Sequence, residues 1–417
     1  MQGLITHAIG ARLPGLPWPR LPAHNNAARL LAWCEELAGC APAFAPPLAE
    51  KVLAAYEAMD DTGRRAFLSN LSTRFAPDAE RLERAVAGYR AGADPAALAE
   101  LHAASEPRRL QLIRNLNLAD NGTRRLIQIR SDLGAWRREI PGAPALDADF
   151  AHLLAAWFNA GFLRLERITW SSPASLLRKI IAYEAVHEIG DWDELRRRLE
   201  PADRRCYAFF HARMPDEPLI FIEVALTAKV PGAITALLSP ERPELAPRDA
   251  RVAVFYSISN CQDGLRGVPF GSVLIRQVVA ALQAELPNLG TFVTLSPIPG
   301  LRAWAEVESD LVDRDPSAAE VRRLAAEYLL TAKTAAGEPL DPVARFHLGN
   351  GASVSDIHPL GDLSSNGRRQ SFGAMVNYLY DLSALERNRN ALLRGEVKAE
   401  RRIRRYARGT RAASATP

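Results

Sequence analysis

The sequence predicts an α+β protein of two domains, an all-α helical N-terminal domain over residues 1–165 and a mixed domain over residues 166–417. Three observations support this. The 417 residues exceed what one ordinary core organises. The first half spaces its apolar residues as helices do, almost without β-branched runs. From about residue 166, helical and β-rich segments alternate, so any functional site is expected there.

The helical domain is predicted from apolar side chains that recur every three or four residues. Asp, Thr and Pro residues stand where caps and first helical turns belong. The segments with this pattern are AARLLAWCEELAG, PLAEKVLAAYEAM, DTGRRAFLSNLSTRF, DAERLERAVAGYRA, DPAALAELHAA and GTRRLIQIRSDLGAW. None of them gathers His, Cys or paired carboxylates in a catalytic pattern. This domain is therefore expected to be a scaffold, or the surface through which the chain forms a homo-oligomer.

The second domain begins with two β-rich runs, CYAFFHAR (206–213) and PLIFIEVALT (218–227), which are separated by a turn-like MPDE and predict a hairpin. RVAVFYSISN (251–260) is a third such run. A glycine-rich loop, the amphipathic helix VLIRQVVAALQAEL and the strand FVTLS follow it. In α/β arrangements of this kind, ligands bind where loops leave the strand ends.

Composition limits the classes of function. Hydrophobic residues make up 48% and charged residues 24%, as in soluble globular proteins. The net charge of +4 is local: ten Arg/Lys and three Glu follow from Glu386 onward, so nucleic acid is not an expected partner. The four cysteines form no CxxC pair and no metal spacing with the eight histidines. With no signal-peptide core and no membrane-length apolar stretch, we expect a cytoplasmic protein without a membrane anchor.

The stretch FVTLSPIPG (292–300) predicts a buried strand that stops abruptly after a single hydroxyl, Ser296. Pro297 offers no N–H to a ladder, and the residue before a proline is held in an extended conformation. The backbone at Ser296 is therefore expected to be stiff. Taken alone, the pattern fits an incidental serine at a strand end as well as a catalytic hydroxyl.

The loop GLRGVPFGS (264–272) places three glycines between a strand and the start of a helix. Glycines let backbone amides approach an anion closely, and the first turn of a helix favours negative charge. A phosphate or pyrophosphate site is one reading, and a glycine-rich connection without a ligand is the other. The spacing is neither GxGxxG nor a Walker loop, so neither a dinucleotide nor a nucleoside triphosphate is indicated.

A second polar segment is RFHLGNGASVSD (345–356). Pro342 can begin a helix there, and Gly349 and Gly351 can end one, which puts His347 near a helix end. A hydrogen-bonded core histidine is the structural alternative to a catalytic one. No other histidine pairs with it in a zinc-type spacing.

Together these stretches resemble the malonyl-CoA decarboxylase family. The segments that carry the resemblance are residues 166–199, 204–227, 254–275, TLSPIPG (294–300), FHLGNGA (346–352) and VNYLY (376–380), with weaker likeness in 116–133. The resemblance implies a helical N-terminal domain followed by a catalytic α/β domain of the GNAT acyltransferase type. It also implies an enzyme that converts malonyl-CoA to acetyl-CoA and carbon dioxide, without a metal or other cofactor.

The resemblance also implies which residues form the site. Ser296 matches the catalytic serine of the family, and His347 matches its catalytic histidine. Tyr380 matches a tyrosine that lines the site. The family's CoA-contacting loop falls on Arg266, Gly267, Val268, Pro269, Phe270, Gly271 and Ser272.

Two departures from the family's pattern affect what is expected. Some relatives have a glutamate where this chain has Pro269, so any acidic or orienting role of that side chain is absent here. Residues 356–361 diverge from the family. Within them, His358 is expected to replace a surface residue rather than to enter the site.

The reaction implied by the resemblance needs an enolate to be stabilised and then protonated on carbon. Ser296 is expected to hydrogen-bond the malonyl carboxylate or to accept a proton, and His347 to protonate the carbon. A backbone N–H would polarise the thioester carbonyl.

Two other functions remain open from the residues themselves. An N-acyltransferase would pass an acyl group from CoA to an amine. A non-enzymatic CoA-binding scaffold would bind RNA or acidic partners through the basic tail. The tail is more often a solvated helix that frays, so deletion of residues 396–417 is expected to leave turnover unchanged.

Overall fold

The computed structural model describes residues 23–268, 271–308 and 316–408. The chain forms two compact units, of which the first holds the chain up to Gly122 together with Ala135–Leu146. The second holds Thr123–Gly134 and the chain from Asp147 onward. The predicted α+β two-domain architecture is confirmed, with helices first and a mixed sheet after them. The boundary at residue 165 stays a prediction.

The first unit is built from helices, and aspartate caps fix the first turns of three of them, α3, α4 and α5. Asp60, Asp78 and Asp94 each accept a hydrogen bond from the backbone N–H three residues on, at 2.8 to 3.0 Å. The helices up to the unit boundary are α1 Ala23–Gly39, α2 Pro46–Glu57, α3 Asp61–Arg74, α4 Ala79–Ala91, α5 Pro95–Ser105 and α6 Arg108–Leu116. The next helix, α7 Gly122–Ala135, belongs to the second unit except for its two end residues. Helix α8 Ala143–Trp157 belongs to the first unit up to Leu146 and to the second from Asp147.

The second unit alternates strands and helices, as its sequence predicted. Its strands are β1 Leu163–Ile168, β2 Arg204–His211, β3 Ile220–Thr227, β4 Val252–Asn260, β5 Thr291–Thr294, β6 Ser296–Pro297, β7 Ser353–His358 and β8 Met375–Leu379. Its remaining helices are α9 Ala174–Tyr183, α10 Trp192–Leu199, α11 Thr235–Leu238, α12 Gly271–Glu285, α13 Leu301–Glu308, α14 Ala318–Thr331, α15 Pro342–Gly349, α16 Ser365–Ser371, α17 Leu385–Leu393 and α18 Arg401–Ala407.

The strands form one mixed sheet in the order β1-β2-β3-β4-β5-β8-β6, with β7 also paired to β8. Strands β2 and β3 form the predicted hairpin and are buried almost throughout. All pairings are antiparallel except that of β4 with β5. The parallel pair is therefore the place where the sheet changes direction, and ligands commonly bind at such places.

Strands β4 and β5 separate partway along their length. Their register runs from Val252 opposite Thr291 to Phe255 opposite Thr294, and β4 continues beyond it to Asn260. Near the same point β4 carries a bulge, because Phe255 and Ser257 pair with consecutive residues of β3 and leave Tyr256 between them. A bulge bends its strand and increases the local twist. The far half of β4 therefore borders an opening rather than β5.

The C-terminal segment was expected to be a solvated helix that frays, and the structure shows that this expectation was wrong. Helix α18 packs on α14 and β7, and its Ile403 is fully buried. The backbone before the helix runs beside β7, where Val354 N–H donates to Lys398 O and Glu400 N–H donates to Val354 O, both at 2.9 Å. Residues 396–408 are therefore an integral part of the second unit.

Among the residues that the structure describes, no helix is both long enough and apolar enough to cross a membrane.

Candidate active site

Ser296 lies where the chain leaves β5 and turns toward β8. Leu295 N–H donates to Phe255 O at 3.1 Å, the last contact of this segment with β4. The next residues pair with β8, Ser296 opposite Val376 and Pro297 opposite Met375. The sequence predicted one strand that ends at Ser296, and the structure divides it into two. Because Pro297 lacks an N–H, the pairing ends there and holds Ser296 at a fixed position.

His347 lies in the last turn of α15. Asp341 caps the start of this helix by accepting from Ala344 N–H at 2.8 Å, and Pro342 occupies its first turn. Gly351, with φ of +87°, reverses the chain after the helix, a conformation that suits glycine. Ala352 N–H donates to His347 O at 3.1 Å. The helix that the sequence predicted is therefore present and holds the imidazole in a buried position.

Ser296 and His347 are joined by a hydrogen bond, and each has a second partner. Ser296 Oγ and His347 Nε2 are 3.2 Å apart, and His347 Nδ1 lies 2.7 Å from the hydroxyl of Tyr380. On the other side, Ser296 Oγ donates to Thr294 Oγ1 at 2.8 Å. Thr294 Oγ1 also accepts from Tyr378 N–H at 3.1 Å. The four side chains form one continuous chain of hydrogen bonds.

The direction of these hydrogen bonds assigns the tautomer of His347. The only proton of the Ser296 hydroxyl is donated to Thr294, so Ser296 Oγ is the acceptor in its contact with His347. Nε2 therefore carries the proton of the neutral ring, and Nδ1 accepts from Tyr380. The N–H of the imidazole consequently points toward the serine.

His347 is neutral because its surroundings are apolar and aromatic. The ring stacks on Tyr378 with centroids 4.7 Å apart and meets the edge of Phe346 at 5.1 Å. Burial lowers the pKa of His347 to about 3, since a charged imidazolium is poorly solvated there. Burial also raises the pKa of Tyr380 well above its usual value, and the nearby Asn350 amide offsets part of that shift. Neither group is charged in the empty site at neutral pH.

A cavity of about 610 Å³ opens in front of this pair. Both Ser296 and His347 line it, together with the part of β4 that has separated from β5, including Tyr256 and Asn260. Most of the other wall residues are apolar; they come from β4, from α15, from the loop before α12 and from single positions elsewhere in the second unit. Arg345 and Arg389 complete the wall. Its size and its few polar groups are typical of a small-molecule site.

Tyr380 is not part of the cavity wall formed by the described residues. It stands behind His347 and holds Nδ1. The described structure therefore places this tyrosine against His347, whereas the resemblance implied that it lines the site.

The predicted CoA loop reaches the cavity through its middle. Gly267, with φ of +79°, and Val268 line the wall, whereas the Arg266 side chain is exposed and pairs with Asp263 at 3.2 Å. Pro269 and Phe270 lie outside the described residues. Gly271 and Ser272 form the first turn of α12, where an anion is favoured.

The loop is held in place by a residue that sequence reasoning missed. Arg130 on α7 donates through Nη1 to Gly264 O at 2.7 Å and to Arg266 O at 3.0 Å. Its Nε binds Asp147 at 2.9 Å. Gly264 and Arg266 lie more than a hundred residues from Arg130 along the chain, so no local pattern indicates their contact with it. Thr294, by contrast, precedes Ser296 by two residues, and the two-residue period of strands was a usable signal.

His358 lies outside the cavity wall formed by the described residues, as expected, but it is not a surface residue. It is half-buried, and its Nε2 lies 2.5 Å from Asn377 Oδ1 on β8. Asn377 in turn donates to Thr294 O at 2.7 Å, so the histidine supports the segment that leads to Ser296.

Comparison with known families agrees with this geometry. The profile of the malonyl-CoA decarboxylase N-terminal domain matches residues 75–158. That of the malonyl-CoA decarboxylase C-terminal domain matches residues 161–318 and 309–416. The two profiles together cover well over half of the chain.

Individual relatives give the same result. Mitochondrial malonyl-CoA decarboxylase of Rattus norvegicus is 36% identical over 348 residues, 71% of this chain and 70% of the relative. The solved malonyl-CoA decarboxylase of Rhodopseudomonas palustris is 48% identical with a TM-score of 0.84, covering 91% of this chain and 99% of the other. That of Agrobacterium vitis is 44% identical with the same TM-score and the same coverage. The chain therefore belongs to the malonyl-CoA decarboxylase family and is an enzyme, a carboxy-lyase.

Proposed function

We propose that this chain converts malonyl-CoA to acetyl-CoA and carbon dioxide, with Ser296 and His347 as the catalytic pair. The observation that carries the proposal is the hydrogen-bonded, uncharged serine and histidine at the wall of the cavity. Family membership supports the reaction. The roles of the two side chains rest on their geometry and on the motif match.

In the first step the bond between the α-carbon and the carboxylate carbon breaks. Carbon dioxide leaves as a neutral molecule, and the electron pair is shared by the α-carbon and the thioester oxygen. A largely apolar wall around the carboxylate favours this step, because charge that water would solvate is spread over the enolate as the bond breaks. The Ser296 hydroxyl is placed to orient the carboxylate beside His347.

In the second step the enolate carbon takes a proton. His347 supplies it through Nε2, the nitrogen that faces Ser296 and the cavity. The bound carboxylate, as a neighbouring negative charge, raises the pKa of the imidazole, so the ring takes up a proton from solvent in the complex but not in the empty site. Each turnover then consumes one solvent proton, as the balanced reaction requires.

The CoA moiety is proposed to lie along the loop from Arg266 to Ser272. Gly267 and Val268 line the cavity, and the first turn of α12 is suited to the pyrophosphate. Arg130 fixes the start of this loop by donating to the carbonyl groups of Gly264 and Arg266. This chain has a proline at position 269, so the proposal assigns no acid to that position.

The cytoplasmic location and the homo-oligomer expected from the sequence stay predictions. The curated relatives compared with this chain are described as mitochondrial.

Ser296→Ala and His347→Asn should each lower kcat by about 10²–10⁴-fold, the usual contribution of a positioned proton-transfer group. His102→Asn on α5, an exposed histidine of the first unit, is the matched control and should turn over normally. Steady-state assays and circular dichroism on the same preparations decide the question. A folded Ser296 or His347 variant with near-normal kcat would contradict its assignment.

The pH dependence of stability should reveal the buried, neutral His347. Because folding lowers its pKa from 6.5 to about 3, the unfolded chain binds more protons between these values, and stability falls as the pH falls through this window. His347→Asn removes that proton uptake, so its unfolding free energy should depend less steeply on pH between 6.5 and 4.

Denaturant titrations at several pH values measure the two slopes. His187, whose pKa burial lowers to about 4, titrates in both proteins and cancels in the comparison. Equal slopes for wild type and variant would show that His347 is not held neutral by burial.

Gly267→Val should weaken CoA binding about tenfold. The positive φ of Gly267 is strained for a side chain, by roughly 1–2 kcal/mol, and a shift of the loop disturbs the cavity wall. Gly337→Val is the matched control, because it has a φ of +81° and equally open space around its Cβ position but does not line the cavity. Calorimetric titration with CoA should show the loss only at Gly267. Equal effects of the two substitutions would remove the loop from the site.

A further inference from the structure

Asn377, on β8, has a fully buried side-chain amide that contacts three other segments of the second unit. Its Nδ2 lies 2.7 Å from Thr294 O and 3.4 Å from Pro231 O, and its Oδ1 lies 2.5 Å from His358 Nε2. Carbonyl oxygens only accept hydrogen bonds, so the nitrogen must be the atom that faces them. Oδ1 then accepts from His358 Nε2, and one orientation of the amide satisfies both of its ends.

The end of β5 is held against β8 by two hydrogen bonds to Thr294. Thr294 is the last residue of β5, whose ladder to β8 is short and places Val293 opposite Leu379. Asn377 Nδ2 donates to the carbonyl of Thr294, and the N–H of the next residue, Tyr378, donates to its hydroxyl at 3.1 Å. Consecutive residues of β8 therefore fix the backbone and the side chain of Thr294 at the break between β5 and β6.

The position of Ser296 depends in turn on Thr294. Only Leu295 separates the two residues along the chain, and Ser296 Oγ donates to Thr294 Oγ1 at 2.8 Å. The same oxygen of Ser296 lies 3.2 Å from His347 Nε2. A displacement of Thr294 from β8 therefore reaches the serine and the histidine both through the backbone and through the hydroxyl.

We propose that Asn377 is a positioning residue that holds Ser296 in its catalytic geometry by way of Thr294. This inference rests on the proposed decarboxylation. Asn377 does not line the cavity wall formed by the described residues, so it acts without touching the substrate. Misplacement of a reacting group by about 1 Å can lower a rate by about 10²-fold, so one buried amide can have a large effect on kcat.

The alternative role for this amide is purely structural, as a tie between β8 and the residues Pro231 and His358. Replacement of a structural amide lowers stability, and any effect on turnover is the same whether or not Ser296 is present. A positioning amide acts through Ser296, so its effect on turnover disappears when the serine hydroxyl is removed. The two roles therefore differ in a measurable quantity.

Asn377→Asp should lower kcat by about 10–100-fold, with KM changed less than about threefold. Aspartate keeps the shape of the side chain and the acceptor for His358 Nε2, but its carboxylate has no donor for Thr294 O. In a Ser296→Ala background the same substitution should change the residual kcat less than about threefold. Steady-state assays of wild type, the two single variants and the double variant measure both factors.

Asn115→Asp is the matched control. Asn115 on α6 of the first unit is also buried, and its Nδ2 likewise donates to two carbonyl oxygens, that of Leu37 at 2.7 Å and that of Cys40 at 3.0 Å. Its Oδ1 accepts from Gln111 Nε2 at 3.1 Å, so the substitution disturbs the same three kinds of contact. This variant should have a lower melting temperature, as Asn377→Asp should, but a kcat within about threefold of wild type.

Circular dichroism on the same preparations establishes that each variant is folded. If Asn377→Asp does not fold, Asn377→Ala is measured in the same two backgrounds, since alanine leaves space for a water molecule that can donate to Thr294 O. The effects on kcat with and without the Ser296 hydroxyl are expected to differ in the same way.

Three results would overturn the proposal: a folded Asn377 variant with a kcat within about threefold of wild type, a loss confined to KM, or an equal fall in kcat with and without the Ser296 hydroxyl. Low turnover of Ser296→Ala beside a fully active Asn377→Asp would reject only this inference. A wild-type protein that forms no acetyl-CoA would instead reject the proposed decarboxylation.

Discussion

The hydrogen bond between Ser296 Oγ and His347 Nε2 joins the end of a strand to the end of a helix, and the site depends on it. The bond forms because the chain leaves β4 after Leu295 while it stays paired with β8, and because α15 stops shortly after His347. The same departure from β4 opens the cavity. The interruption between β5 and β6 at Leu295 therefore has two effects: it positions the Ser296 hydroxyl, and it leaves space for a substrate beside β4.

Burial gives this pair its chemical character. Aromatic rings around His347 exclude water and hold it neutral, and the hydrogen bonds from Thr294 to Tyr380 leave its single N–H facing the serine. A neutral imidazole beside a bound carboxylate can gain a proton that it does not hold in the empty site.

Much of the fold and of the site could be predicted from the sequence. The parts that could not be predicted depend on contacts between distant segments or on side-chain orientation. The β2–β3 hairpin and helix α15 follow from periodicity and caps, and Ser296 and His347 stand out through their motifs. Contacts between distant segments left no such signal: Arg130 meets the CoA loop only in the folded chain. The motif singled out Tyr380 but did not indicate that its hydroxyl meets His347 Nδ1, because a motif gives the identity of a residue and not its orientation. The tail was misread because the burial of Ile403 depends on α14 and β7.

The most direct measurement is the product formed from malonyl-CoA in heavy water, with purified wild-type protein and no amine present. An enolate protonated by an imidazole in exchange with solvent should yield acetyl-CoA with one deuterium in its methyl group and an intact thioester. An acyltransferase would leave malonyl-CoA unchanged until an amine was supplied, and a scaffold would leave it unchanged throughout. Absence of acetyl-CoA where CoA binding is demonstrated would contradict decarboxylation by this chain, and the divergent residues 356–361 would be the first place to seek the reason.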